Sequence, residues 1–100
     1  MPDFTREEIE AVVKASLQFK GANLAGIDLS GADLRRASLH RTDLRRADLR
    51  KADLRGTDLK GADLHYAKLG SVNFRGAAYN KSTKFPEGFD PDKEEMMLVE

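Results

Sequence analysis

One hundred residues with seventeen basic and seventeen acidic side chains and no cysteine describe a single domain with a thin core. The missing cysteines exclude disulfides, thiol nucleophiles and thiolate metal sites, and the balanced charge gives no long-range field toward nucleic acid or membrane. The balance is uneven along the chain: residues 1–20 carry three basic and four acidic groups, residues 21–81 twelve and seven, and residues 82–100 two and six.

At the amino end, Thr5-Arg6-Glu7-Glu8 reads as a capping box, with Phe4 and Ile9 spaced as a hydrophobic staple. Ile9, Val12, Val13 and Leu17 fall on one helical face. The spacing predicts a helix from about residue 6 to 16, in a capping segment of residues 1–16. The segment has neither the basic start nor the apolar stretch of a secretory signal, and no apolar run in the chain is long enough to cross a bilayer. A cytoplasmic protein without membrane contact is expected.

The next stretch has an unusual period. "RTDLRRADLRKADLRGTDLKGADL", residues 41–64, puts a leucine at every fifth position with alanine or threonine two residues ahead of it. On an α-helix five residues advance about 140° beyond a full turn, so successive leucines spiral over all sides. On a strand an odd period sends them to alternate faces. The chain must therefore turn between leucines, presenting each to a common axis, and that geometry is a solenoid. The register runs from Phe19 through Leu24 and every fifth residue to Leu69, Phe74 and Tyr79, thirteen units between residues 17 and 81. Glycine recurs in the last position of the unit, as at Gly21, Gly26 and Gly31, where a turn uses it.

These units closely resemble the pentapeptide-repeat family, whose unit is often written A-(D/N)-L-X-X; "GANLAGIDLSGADL" is typical of it. The resemblance implies an all-β solenoid, a right-handed quadrilateral β-helix in which four units make one coil. It also implies that the leucine and the small residue two before it point inward. Leu24, Leu44 and Leu64 would then stack on successive coils about 4.8 Å apart.

Residues 82–100 form a third segment, a capping loop and tail. Pro86 and Pro91 break the repeat, and Phe85 and Phe89 are placed to plug the last coil. The ending resembles those common among bacterial, especially cyanobacterial, pentapeptide-repeat proteins. Met96, Met97, Leu98 and Val99 read either as an apolar tail folding back or as a segment for a partner or self-association.

Chemistry is sparse. Asp28, Asp33, Asp43, Asp48, Asp53, Asp58 and Asp63 share one outward position, where aspartate is expected to bind turn backbone rather than to pair for acid–base work. His40 and His65 are separated and lack a carboxylate cluster, so neither metal nor cofactor is expected. No phosphate-loop, dinucleotide or nucleophile-elbow pattern occurs, and the chain is expected not to be an enzyme. The candidate contact residues for a protein partner are Arg35, Arg36, Arg45, Arg46, Arg55 and Arg75, with Arg35, Arg55 and Arg75 in one column. An aspartate two residues ahead of Arg35, Arg45, Arg50 and Arg55 supports a solvated charge lattice instead. The alternative of nucleic-acid binding through these arginines lacks aromatic residues between Phe19 and Tyr66 for base stacking. Some relatives mimic DNA and act on DNA gyrase through a long acidic surface, a feature this basic repeat region lacks. The expected state is a monomer or a weak end-to-end dimer.

Overall fold

A computed structural model describes residues 5–14 and 19–100, with the backbone alone at residues 10 and 12–14. Its regular elements are few: α1 (Arg6–Lys14), β1 (Ala78–Tyr79) and β2 (Met97–Leu98). The order lies in a ladder of parallel bridges between residues twenty apart, Asn23 with Asp43, Asp28 with Asp48, Asp33 with Asp53 and Ser38 with Asp58. Four bridges per twenty residues make each coil four-sided.

One unit explains the coil. Leu24 accepts a hydrogen bond from the Ile27 N–H at 3.1 Å, closing a four-residue turn whose third residue, Gly26, has φ +73°. A positive φ at that position alone is the type II signature. Between turns the short extended segment bonds the coil above: Leu24 N–H donates to the Asp43 carbonyl at 2.7 Å, and Asp43 N–H donates to the Ala22 carbonyl at 3.0 Å. Each unit thus satisfies its backbone partly in its own corner and partly across the coil spacing.

The core is the column the period required. Every leucine from Leu24 to Leu64 in the register is fully buried, and the inward alanines from Ala32 to Ala77 are buried with them. Where threonine takes the small position its hydroxyl is satisfied internally: Thr42 donates to the Leu39 carbonyl at 2.7 Å and Thr57 to the Leu34 carbonyl at 2.8 Å. A buried hydroxyl without such a bond would be destabilising.

At the first coil α1 closes the stack. The capping box forms, with Thr5 N–H donating to Glu8 Oε1 at 2.9 Å and Glu8 N–H to Thr5 Oγ1 at 3.2 Å. Ile9 is fully buried. Phe4, residues 15–16, Leu17 and the Val12 and Val13 side chains lie outside the described residues, so the staple and the last turn of the expected helix do too. Arg6 reaches onto the coil itself, donating to the Asp28 carbonyl at 3.3 Å and the Ser30 carbonyl at 2.5 Å. One coil later the equivalent carbonyls, of Asp48 and Arg50, accept from Leu29 and Gly31. The guanidinium therefore stands in for the coil that would lie beneath.

The last coil departs from the register. The corner at Asn80–Thr83 holds one extra residue, so Asp63 pairs with Lys84. Its side chains fill the gap: Asn80 Oδ1 and Thr83 Oγ1 both accept from Gly61 N–H, at 3.1 and 3.2 Å. The expected aromatic plug is present. Phe89 meets Phe74 edge-on at 5.2 Å and stacks on Phe85 at 4.7 Å, and Phe85 meets Tyr79 at 5.6 Å. The tail then folds back as β2, parallel to β1, with Met97 opposite Ala78 and Leu98 opposite Tyr79. Met96 is buried, whereas Met97 and Leu98 are 59% and 56% exposed.

Candidate interaction surface

The outward residues form four columns, one per face. The first face carries Ser38, Asp58 and Ala78; the second Asn23, Asp43 and Asp63; the third Asp28, Asp48 and Lys68; the fourth Asp33, Asp53 and Asn73. The first face has one acid, and each of the others has two.

Each outward aspartate or asparagine caps its own corner. Asp33 Oδ1 accepts the Arg35 N–H at 3.2 Å, and Asp48 Oδ1 accepts the Arg50 N–H at 3.1 Å. Asn23 and Asn73 make the same bond to Ala25 and Arg75. Where arginine follows two residues later, the carboxylate also takes its guanidinium. Arg35 Nε and Nη2 donate to the Asp33 carboxylate at 2.9 and 2.8 Å, and Arg45, Arg50 and Arg55 repeat the geometry on Asp43, Asp48 and Asp53. These bonds hold Asp33 and Asp48 at a pKa of about 2 and lower Asp43 and Asp53 as well, the guanidinium hydrogen bond being the largest cause in each. The arginines are raised in turn. Such paired charges on an exposed surface leave little net field for a partner.

A consequence in acid follows. A carboxylate lowered by folding contributes stability above its ordinary value of 3.8, and that contribution is lost as pH falls toward about 2. Thermal melts are expected to drop through this window, and less steeply in high salt. Asp48→Asn should flatten its share of the slope while keeping the corner, since Asn23 and Asn73 already make the corner bond. An unchanged slope in Asp48→Asn would remove the ion pair as its cause.

The six candidate arginines do not form one patch. Arg35, Arg36, Arg55 and Arg75 lie at the corner between the fourth and first faces, and Arg45 and Arg46 at the corner between the second and third, diagonally across the coil. Arg35, Arg45 and Arg55 are held by their aspartates, and Arg75 by Glu95 at 3.3 Å. The column Arg35, Arg55, Arg75 is present, and Arg35 also lies 3.8 Å from Asp53 on the next coil, so acid groups interleave it.

Four of the cations without a carboxylate partner among the described residues form a different group. Arg36, Arg41, Arg46 and Lys51 occupy the four successive corners of one coil, all with φ near +60°. Among the described residues none has an acidic partner; Arg46 lies over the Tyr66 ring at 5.3 Å. Glycine fills this position at Gly21, Gly26, Gly31, Gly56, Gly61 and Gly76, and Tyr66 and Ser71 take it at φ +63° and +60°. A residue with a Cβ there costs about 1–2 kcal/mol. A glycine on the next coil makes room for one of these side chains: a Cβ at Gly61 would lie 2.9 Å from Arg41 Cγ, whereas one at Gly56 would make ordinary contact with Arg36 Cγ at 3.5 Å. The sequence held a signal for these cations. Each has a leucine two residues before it where Arg35, Arg45, Arg50 and Arg55 have an aspartate.

One further contact belongs to the surface. His65 Nδ1 lies 2.9 Å from Asp63, an Asp-x-His version of the arginine pairing that the separate reading of the histidines missed. Among the described residues there is no cluster of three metal-ligating side chains, and no helix is long and apolar enough to cross a membrane.

The geometry agrees with the likeness to known proteins. The family model described as Pentapeptide repeats matches residues 17–50 and 41–76, with eight copies. The crystal structure of alr5209, a pentapeptide repeat protein from Nostoc Pcc 7120, is similar at 32% identity over 95% of this chain and 96% of that one, with a TM-score of 0.58. Rfr23, a pentapeptide repeat protein from the cyanobacterium Cyanothece 51142, is similar at 32% identity over 69% of this chain and 46% of that one, with a TM-score of 0.64. No curated protein matches. The five-residue period, the four-sided coil and these matches together place the chain in the pentapeptide-repeat family, as a right-handed quadrilateral β-helix.

Proposed function

We propose that the protein is a non-enzymatic interaction module that docks an acidic protein partner against its first face, through Arg36 and Arg41. The observation that carries this reading is the run of four cations at left-handed corners of a single coil, none with a carboxylate partner among the described residues. Conformational strain that persists where glycine serves elsewhere points to a use for the side chain.

Geometry selects two of the four. Arg36 and Arg41 bracket residues 37–40 and so rim the first face, whose outward column holds Asp58 as its single acid. Lys60 lies 3.9 Å from that acid and offsets its charge. A flat partner surface reaches both arginines at once, whereas Arg46 and Lys51 stand at the other two corners. Rigid solenoid faces suit this kind of recognition. The earlier set of six narrows accordingly to Arg36 and its neighbour across the face.

Affinity capture from cell extract tests the reading, with wild type beside a double variant Arg36→Gly, Arg41→Gly. Glycine is compatible with both corners, so the variant is expected to melt at the wild-type temperature or above it. An acidic protein retained by wild type and lost from the variant is the expected result. An identical retained set overturns the proposal. If nuclease strips the captured material, the ligand is nucleic acid and the protein-partner reading falls.

A further inference from the structure

The two ends of the solenoid are finished differently. At the first coil, Arg6 of α1 satisfies the Asp28 and Ser30 carbonyls that face away from the stack. At the other end β2 is the last rung, and among the described residues no further strand pairs with its outer edge. Met97 N–H donates to the Ala77 carbonyl at 2.8 Å and Val99 N–H to the Tyr79 carbonyl at 2.8 Å. Strand alternation then turns the N–H and C=O of Leu98 away from β1. Outside the β1–β2 pairing, the Leu98 N–H has no backbone acceptor among the described residues.

Exposed side chains accompany the exposed backbone. Leu98 continues the inward column of Leu39, Leu59 and Tyr79, yet it is 56% exposed, with no further coil paired above it among the described residues. An open, apolar edge strand is a template for one more strand.

Charge chooses among possible occupants. Residues 82–100 hold six acidic and two basic groups. Asp92 and Asp90 lie close enough to the Tyr79 hydroxyl to raise its pKa, after burial as the first cause. A second copy brought to this edge would set two acidic ends against each other, and like charges in direct apposition are unfavourable. The first coil of another copy is closed by α1 and Arg6. The geometry points to strand addition at Leu98 by an extended basic segment of another protein, alternating apolar residues over Leu98 with lysine or arginine toward the acidic loop. This edge is the last rung of the Arg36–Arg41 face, since Met97 pairs with Ala78, but it uses the Leu98 backbone rather than the two arginine side chains, so variants at either place test one proposal and leave the other's groups intact.

The probe is a synthetic eight-residue peptide of alternating valine and lysine, titrated into the full chain at low salt and followed by amide chemical shifts. Saturable shifts centred on residues 96–99 are expected, weakening as salt is raised. Leu98→Pro removes the one donor N–H; proline is tolerated on an edge strand where that N–H faces solvent. It should bind at least tenfold more weakly with an unchanged circular dichroism spectrum, while Leu98→Val, which keeps the donor, binds like wild type. Absence of saturation at millimolar peptide overturns the proposal. So does equal binding by Leu98→Pro, or by a valine–glutamate peptide. Sedimentation that reveals a concentration-dependent dimer, lost in Leu98→Pro, makes a second copy the occupant and overturns it as well.

Discussion

Leu44→Ala is expected to destabilise the fold by about 2–5 kcal/mol, the range for removing a fully buried leucine. Leu44 is 0% exposed and sits in the column between Leu24 and Leu64, each also fully buried. The hydrogen-bonded ladder fixes the coil spacing on both sides, so the backbone cannot collapse into the space: Leu24 N–H bonds the Asp43 carbonyl at 2.7 Å and Leu44 N–H the Asp63 carbonyl at 2.8 Å. A rigid surround keeps the cavity open, which places the cost toward the upper part of the range. A domain of this size loses about 4–8 °C in melting temperature per kcal/mol, so the shift should exceed ten degrees. Leu98→Ala, at an exposed site, should move the midpoint by only a degree or two. A loss below about 1 kcal/mol for Leu44→Ala, read from urea unfolding, would mean that the column is not the source of stability.

Ala52→Leu should also destabilise, by about 1–3 kcal/mol, for the opposite reason. Ala52 is 1% exposed and stacks between Ala32 and Val72 at the small inward position. In the central coils this position holds only alanine or threonine, from Ala32 to Ala67, while Ile27 and Val72 occupy it in the coils nearest the two ends. Larger residues fit at the ends because one side of them is bounded by a cap rather than by another coil. A leucine at residue 52 must displace the central leucines from both sides. Ile27→Leu, by contrast, conserves volume and should cost under about 1.5 kcal/mol. Equal tolerance at residues 27 and 52 in thermal melts would show that the small column reflects something other than lack of space.

Both effects rest on features of the repeat that can be read without coordinates. So do the capping box at Thr5 and Glu8, the aspartate bonds to turn backbone, and the Asp-x-Arg pairs, each of which forms between residues two or three apart in the chain. The spatial grouping of the arginines was less legible. Six arginines were grouped by crowding along the chain, but the four-sided coil sends neighbouring units to different corners. Crowding in sequence became opposition in space for Arg45 and Arg36. The distinction between a neutralised arginine and a bare one depends on which residue lies two positions earlier, and that local rule was available for Arg36, Arg41, Arg46 and Lys51.

By itself the amino-acid order determined the coil, because every unit is interchangeable and a leucine every five residues can be buried in one way only. It determined the helix start and the charge lattice too, since these are contacts within a few residues. Beyond the capping helix and the Phe85–Phe89 plug, the tertiary structure alone decided how the ends are finished. Where Asn80–Thr83 adds a residue and β2 returns to pair with β1, the partners are long-range and the period no longer constrains them. The same holds for Arg6 on the Asp28 and Ser30 carbonyls, a contact across more than twenty residues that closes one edge while the Leu98 edge stays open. Repetition encodes the middle of a solenoid; its termini are set by whatever packs against the last exposed rung.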